Sequence, residues 1–153
     1  MPYGRAARRC TLKGMLIRLD IAPTLDTVQE YDEAAVGTME EVYGIRLDHS
    51  VDSLAHIDRT LREWREGGAP VEAVTKSLYS LGVYAGEVLR PRTQGRWVVP
   101  PKTQHGEMDS LFLYLKLPDG REWRPIALAF DALINGPQQT LEESARQLLA
   151  RPS

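Results

Sequence analysis

Three residues with metal-binding chemistry fall close together at His49, Asp52 and His56. Imidazole and carboxylate are good ligands for divalent transition metals, and on a helix at about 100° per residue the three share a face opposite Leu54, Ile57 and Leu61. A fourth ligand, from Asp48 or His105, is needed to complete such a site. The plainer reading is a solvated polar helix face, so no metal is expected and these three are only weak candidates. A second constellation runs from Gly82 to Arg90, where Glu87 is a candidate general base with Arg90 or Tyr84 as the orienting or anion-stabilising group. Its competing reading is a simple i,i+3 ion pair between Glu87 and Arg90.

Gly82 and Gly86 cost about 1 kcal/mol each relative to alanine inside a helix. Their presence implies that a backbone, an aromatic ring or a ligand comes close to that side. Between Pro100 and Asp109, the residues Lys102, Gln104, His105, Glu107 and Asp109 either present polar groups over a pocket or form a solvated hairpin connection. Trp64, Trp97 and Trp123 read as core and interface anchors, because base-stacking surfaces combine exposed aromatics with a basic groove. Cys10 sits among arginines, which favours a thiolate, yet its place in an expected tail argues against catalysis.

The elements that must position these residues follow from periodicity. Val28, Tyr31, Ala35, Met39 and Val42 repeat at three and four, predicting a helix over 26–43 that Gly44 stops. A second helix, capped by Asp48 or Ser50, runs through Val51, Leu54, Ile57, Leu61 and Trp64 to Gly67-Gly68. Pro70 opens a third, with Val71, Val74, Leu78, Leu81, Ala85 and Val88 on one face, and Pro91 is expected to end it at Arg90. The pattern then turns to sheet. Segments near 96–99, 110–117 and 121–124 read as strands, the middle one central because both its faces are apolar, with Pro118-Asp119-Gly120 as a hairpin turn. Pro125 starts a helix that Asn135-Gly136 stops, and Thr140 with Glu143 forms a capping box for a last one. Three amphipathic helices packed on a small antiparallel sheet, followed by two short helices, make an α+β domain over 15–150. Residues 1–14 are expected to be a flexible tail, with Met15 to Leu19 as an added edge strand and Met15 as an alternative start.

The chain has 153 residues, 26% of them charged, and a formal charge of -2. That balance lacks the basic excess of a protein held to a phosphate backbone, so nucleic acid is disfavoured. Residues 20–66 carry twelve acids against four arginines, which makes the N-terminal third the acidic part. No window approaches the roughly 20 apolar residues of a membrane span. One cysteine excludes an internal disulfide and multi-cysteine metal sites, and points to a reducing, cytoplasmic location. The phosphate-binding, dinucleotide, zinc-protease and esterase motifs are all missing, and no cofactor is implied.

Gly82-x-Tyr84-x-Gly86-Glu87-x-x-Arg90 with Gly95-x-Trp97, preceded by Leu47-Asp48-x-Ser50-x-x-Ser53-Leu54-x-x-Ile57-Asp58, resembles a pattern found in small bacterial proteins of an uncharacterised domain family. The resemblance covers about residues 45 to 135. It implies an α+β domain and a grouping of Tyr84, Glu87, Arg90 and Trp97 in space, but no activity.

The function the sequence favours is non-enzymatic binding of a protein partner, regulatory or toxin-neutralising in kind. The acidic helical surface, including Asp32, Glu40 and Glu41, or the sheet side bearing Trp97 and His105 would carry it. The competing reading is a small enzyme or metabolite-binding protein that uses Tyr84, Glu87 and Arg90. Self-association is a third possibility.

Overall fold

A computed structural model of the protein describes residues 8–12, 15–19, 23–100, 112–136 and 138–150. The chain begins with a hairpin of β1 (Arg8–Leu12) and β2 (Met15–Leu19), paired antiparallel with Cys10 opposite Ile17. Of the residues 1–14 expected to form a tail, 8–12 are the strand β1 and the others lie outside the described residues. β2 packs on the third helix and buries Leu19 there, so Met15–Leu19 belongs to a separate two-stranded sheet.

Next come α1 (Val28–Tyr43), a 3-10 turn (Val51–Ser53) running into α2 (Leu54–Glu66), and α3 (Val71–Thr93). Gly44 closes α1 in the left-handed conformation, φ 68°, as its position predicts. Pro91 does not end α3 at Arg90. In the last turn its missing N–H removes one hydrogen bond, and side chains take up neighbouring carbonyls: Arg92 bonds that of Val88 at 2.6 Å and Thr93 that of Leu89 at 2.9 Å. The helix stops instead at Gln94, φ 57°.

α3 is the axis of the molecule. Every residue from Leu78 to Gly86 is buried, not merely one stripe, because α1, β2 and the later helix α4 (Pro125–Asn135) pack around it. The two glycines explain the closest approaches. A Cβ at Gly82 would stand 2.5 Å from Ile126 Cα, and one at Gly86 would overlap the Trp97 ring. A backbone and an aromatic ring are thus what the glycines admit.

The sheet holds β3 (Arg96–Val98), β4 (Tyr114–Lys116) and β5 (Glu122–Trp123), antiparallel with β4 central. Strands of two or three residues offer too little area to be a floor under three helices. The helices pack chiefly on one another, and β4 meets α3. The fold is α+β, mostly helical with a small sheet.

The last helix, α5 (Leu141–Ala150), starts at the Thr140–Glu143 capping box and at Asp58 of α2, which accepts from the Leu141 and Glu142 backbone N–H groups at 2.8 and 3.0 Å. Arg65 of α2 donates to the Leu133 carbonyl near the end of α4, at 3.0 Å. α2 therefore places an acid at one helix start and a base at another helix end.

The two kinds of helical glycine predict opposite effects. Gly82→Ala forces Ile126 and α4 away and should cost about 1–3 kcal/mol. Gly37→Ala, in α1 with nothing within 4 Å of the new Cβ, should gain about 0.5–1 kcal/mol. Urea unfolding of both variants measures this, and equal effects would show that the approach at Gly82 is loose.

Candidate functional site

The loop from Gly44 to Ser50 carries the residue on which the site turns. Leu47 anchors it in the core. Asp48 Oδ1 accepts from the Ser50 backbone N–H at 3.0 Å and its hydroxyl at 2.6 Å, and Ser50 Oγ caps the 3-10 turn through the Ser53 N–H at 3.1 Å. These local bonds reverse the chain at His49, which takes φ 60°. A non-glycine residue held there is strained by about 1–3 kcal/mol and must be fixed by its surroundings.

Two contacts do the fixing. The His49 backbone N–H donates to the Tyr84 hydroxyl at 2.8 Å, and the two rings lie 4.7 Å apart between centroids. Tyr84 Oη is also 2.7 Å from Ser53 Oγ, whose own proton goes to the Ser50 carbonyl at 2.6 Å. With that serine proton committed, Tyr84 is the donor to Ser53 and the acceptor from His49. The phenol is fully engaged in the loop's backbone, so Tyr84 positions His49 and is not a free acid.

Asp32, on α1, holds the imidazole. His49 Nε2 lies 2.9 and 3.0 Å from the two carboxylate oxygens, the geometry of one N–H shared between two acceptors. Nδ1 has no hydrogen-bond partner among the described residues. The histidine side chain is 42% exposed, whereas that of Asp32 is 8% exposed. Burial pushes the Asp32 carboxyl above its ordinary value, with Glu87 and Glu33 adding to the rise, and the hydrogen bond and charge of His49 only partly offset it.

One turn beyond Tyr84, Glu87 Oε2 accepts from Arg90 Nε and Trp97 Nε1, both at 2.8 Å, and Oε1 accepts from Arg90 at 3.1 Å. Burial raises this carboxyl, but the bonds from Arg90 and Trp97 and the charge of Arg90 outweigh it and hold Glu87 below its ordinary value. A carboxylate so committed is a poor proton acceptor at neutral pH. The geometry thus weighs against Glu87 as a base and shows its i,i+3 pair with Arg90. The Gly86 cradle seats the Trp97 ring that completes this unit.

Tyr84, Glu87, Arg90 and Trp97 do lie together, with Asp32, His49 and Ser53 added. The metal trio does not assemble. His49 precedes the helix, so the spacing of an unbroken helix does not apply. Asp52 is exposed and pairs with Arg146 at 2.6 Å, while His56 has a buried Nδ1 without a partner. Among the described residues no group of three or more metal-ligating side chains is placed to hold an ion. His105 and its loop neighbours lie outside the described residues.

Asp32 was read with the acidic surface and is corrected to a buried, paired group. Its spacing held the signal: Val28, Asp32, Ala35 and Met39 are themselves three and four apart, so the acid occupies a core position of α1. Elsewhere, a groove of about 390 Å³ runs between Phe112 and α4, lined by Leu128, Phe130, Ile134 and Arg124, and none of the predicted site residues borders it. No helix among the described residues is long and apolar enough to cross a membrane. No protein-family model matches the chain, and neither the curated proteins nor the solved structures include a match to it.

With its value raised, Asp32 binds a proton more readily in the folded chain than in the unfolded one. Its contribution to stability therefore falls as pH rises from the ordinary aspartate value through the raised one. Asp32→Asn should flatten that descent and leave the urea midpoint at pH 7 unchanged or higher. A clearly lower midpoint at pH 7 would mean that the ion pair stabilises the fold more than burial costs it.

Proposed function

We propose that the cluster around His49 is a binding site for a small polar molecule, and that ligand binding at this site is what the chain does. On the same residues we place it with the small bacterial family its sequence resembles. One observation carries the reading. An imidazole is fixed on strained backbone, clamped at Nε2 by a buried carboxylate, with no hydrogen-bond partner at Nδ1 among the described residues and a side chain 42% exposed. Strain and a buried charge both cost stability, and such costs concentrate where binding or chemistry needs them. Arg90, whose side chain is also partly exposed, adds an N–H not used by Glu87 on the same side of α3.

A second reading, docking of a basic protein partner, has its own support. Glu40 and Glu41 flank Val42, which is 65% exposed, and Tyr43 is exposed beside it. They sit at the negative end of α1, whose last turn has no basic residue.

NMR of the full chain labelled at histidine, tyrosine and tryptophan separates the two. Titration with neutral and cationic metabolites should give saturable shifts of the His49, Tyr84 and Trp97 signals, weakened about 10-fold by His49→Asn, about 1.4 kcal/mol. Asparagine tolerates the left-handed backbone, so the loop survives the change. Shifts confined to Tyr43 on adding a protein partner, reversed by salt, would move the function to the acidic end of α1.

A further inference from the structure

We propose that His49 is a general base at this site, taking a proton at Nδ1 from a neutral molecule bearing an acidic C–H or O–H, with Asp32 and Tyr84 as its positioning residues. The inference rests on the binding reading and goes one step beyond it, from holding a ligand to moving its proton.

Three observations converge. The Nε2–H shared between the two Asp32 oxygens fixes the tautomer, which leaves the Nδ1 lone pair as the free base of the ring. Tyr84 fixes the backbone through the His49 N–H and lies against the imidazole, so the lone pair is held in one direction. The charge around the ring is net negative. The titratable groups about it are Asp32 and Glu33 of α1, Asp48 in its own loop, and Tyr84, Glu87 and Arg90 of α3. In the paired core of that set, two carboxylates face one guanidinium, so the neutral ring stands beside net negative charge.

The same balance selects the substrate class. An anion approaching the neutral imidazole meets net negative charge, whereas a neutral acid meets none and leaves its proton where it compensates that charge. A carboxylate oriented behind an imidazole, whose far nitrogen meets the substrate, is the arrangement general-base catalysis requires.

A neutral carbon acid, 5-nitrobenzisoxazole, tests the step directly. Nδ1 removes the ring C–H proton, the electron pair of that bond completes a nitrile, the N–O bond breaks, and its electrons remain on oxygen as a coloured phenolate. The proton then passes from Nδ1 to water. The full chain should catalyse this elimination with a rate that rises along one ionisation, at least about 10-fold above free imidazole at equal concentration. His49→Asn should lower the rate about 10-fold or more, and His56→Gln, outside the cluster, should leave it unchanged. Asp32→Asn should lower the rate and mix the two neutral tautomers of His49 in nitrogen-15 spectra, because the carboxylate that fixes the Nε2–H is gone. Nitrogen-15 spectra should show Nδ1 as the unprotonated ring nitrogen of neutral His49.

Equal rates for His49→Asn and the unchanged chain, or a neutral His49 protonated at Nδ1, would overturn the proposal. The same-shaped 5-nitrobenzotriazole, which cannot open, distinguishes the two readings. If it shifts the His49 signals while the benzisoxazole is not consumed faster than with imidazole, the base falls and the binding site stands. If it shifts nothing and no elimination occurs, both fall.

Discussion

The close approach of other elements to one side of α3 is the constraint on which the rest of the structure depends. Gly82 lets the start of α4 lie against the helix backbone, and Gly86 lets the Trp97 ring do the same one turn later. The first contact assembles the helical core, since α4 then packs on both α3 and α2. The second brings β3 to α3 and delivers an indole N–H to Glu87. Core and site share one helix, so the packing that stabilises the domain also sets the geometry of the polar cluster. Overpacking at either glycine disturbs both.

The cluster is built as two hydrogen-bonded pairs of different character. Glu87 is saturated by donors and remains ionised, a structural anion that ties α3 to β3. Among the described residues Asp32 has one hydrogen-bond partner, the His49 imidazole. Two carboxylates a short way apart thus have their values pushed in opposite directions, one by charge-assisted hydrogen bonds and the other by burial. Such divergence separates a supporting acid from one that can take part in proton movement.

Much of the frame was legible because the relevant signals are local. The stop at Gly44, the cap at Ser50, the proline start of α4 and the Thr140–Glu143 box depend on a few adjacent residues, and each appears where its chemistry places it. The Glu87–Arg90 pair was legible for the same reason. The Asp32–His49 pair was not, because it joins residues 17 apart across a loop whose left-handed turn no periodicity reveals. Treating residues 48–56 as a single helix sent His49 toward His56 and away from its partner. Pro91 misled in a related way, since it costs one hydrogen bond in the last turn while the side chains of Arg92 and Thr93 bond the neighbouring Val88 and Leu89 carbonyls. The β1 strand was hidden by arginines whose charge suggested solvent while their backbone had a hairpin partner.

The hydrogen-bond relay from the His49 backbone through Tyr84 and Ser53 to the Ser50 carbonyl has an evolutionary consequence. Loss of the phenol strands a backbone donor on a strained residue and a serine acceptor in a buried place, so a change at one position penalises the others. The relay residues are energetically coupled as a unit. Lineages that alter residue 84 must relax the turn at residue 49 as well, and glycine or asparagine there is the least costly escape. Descent should therefore show these positions changing together, even though they lie on separate elements and 35 residues apart at the extremes.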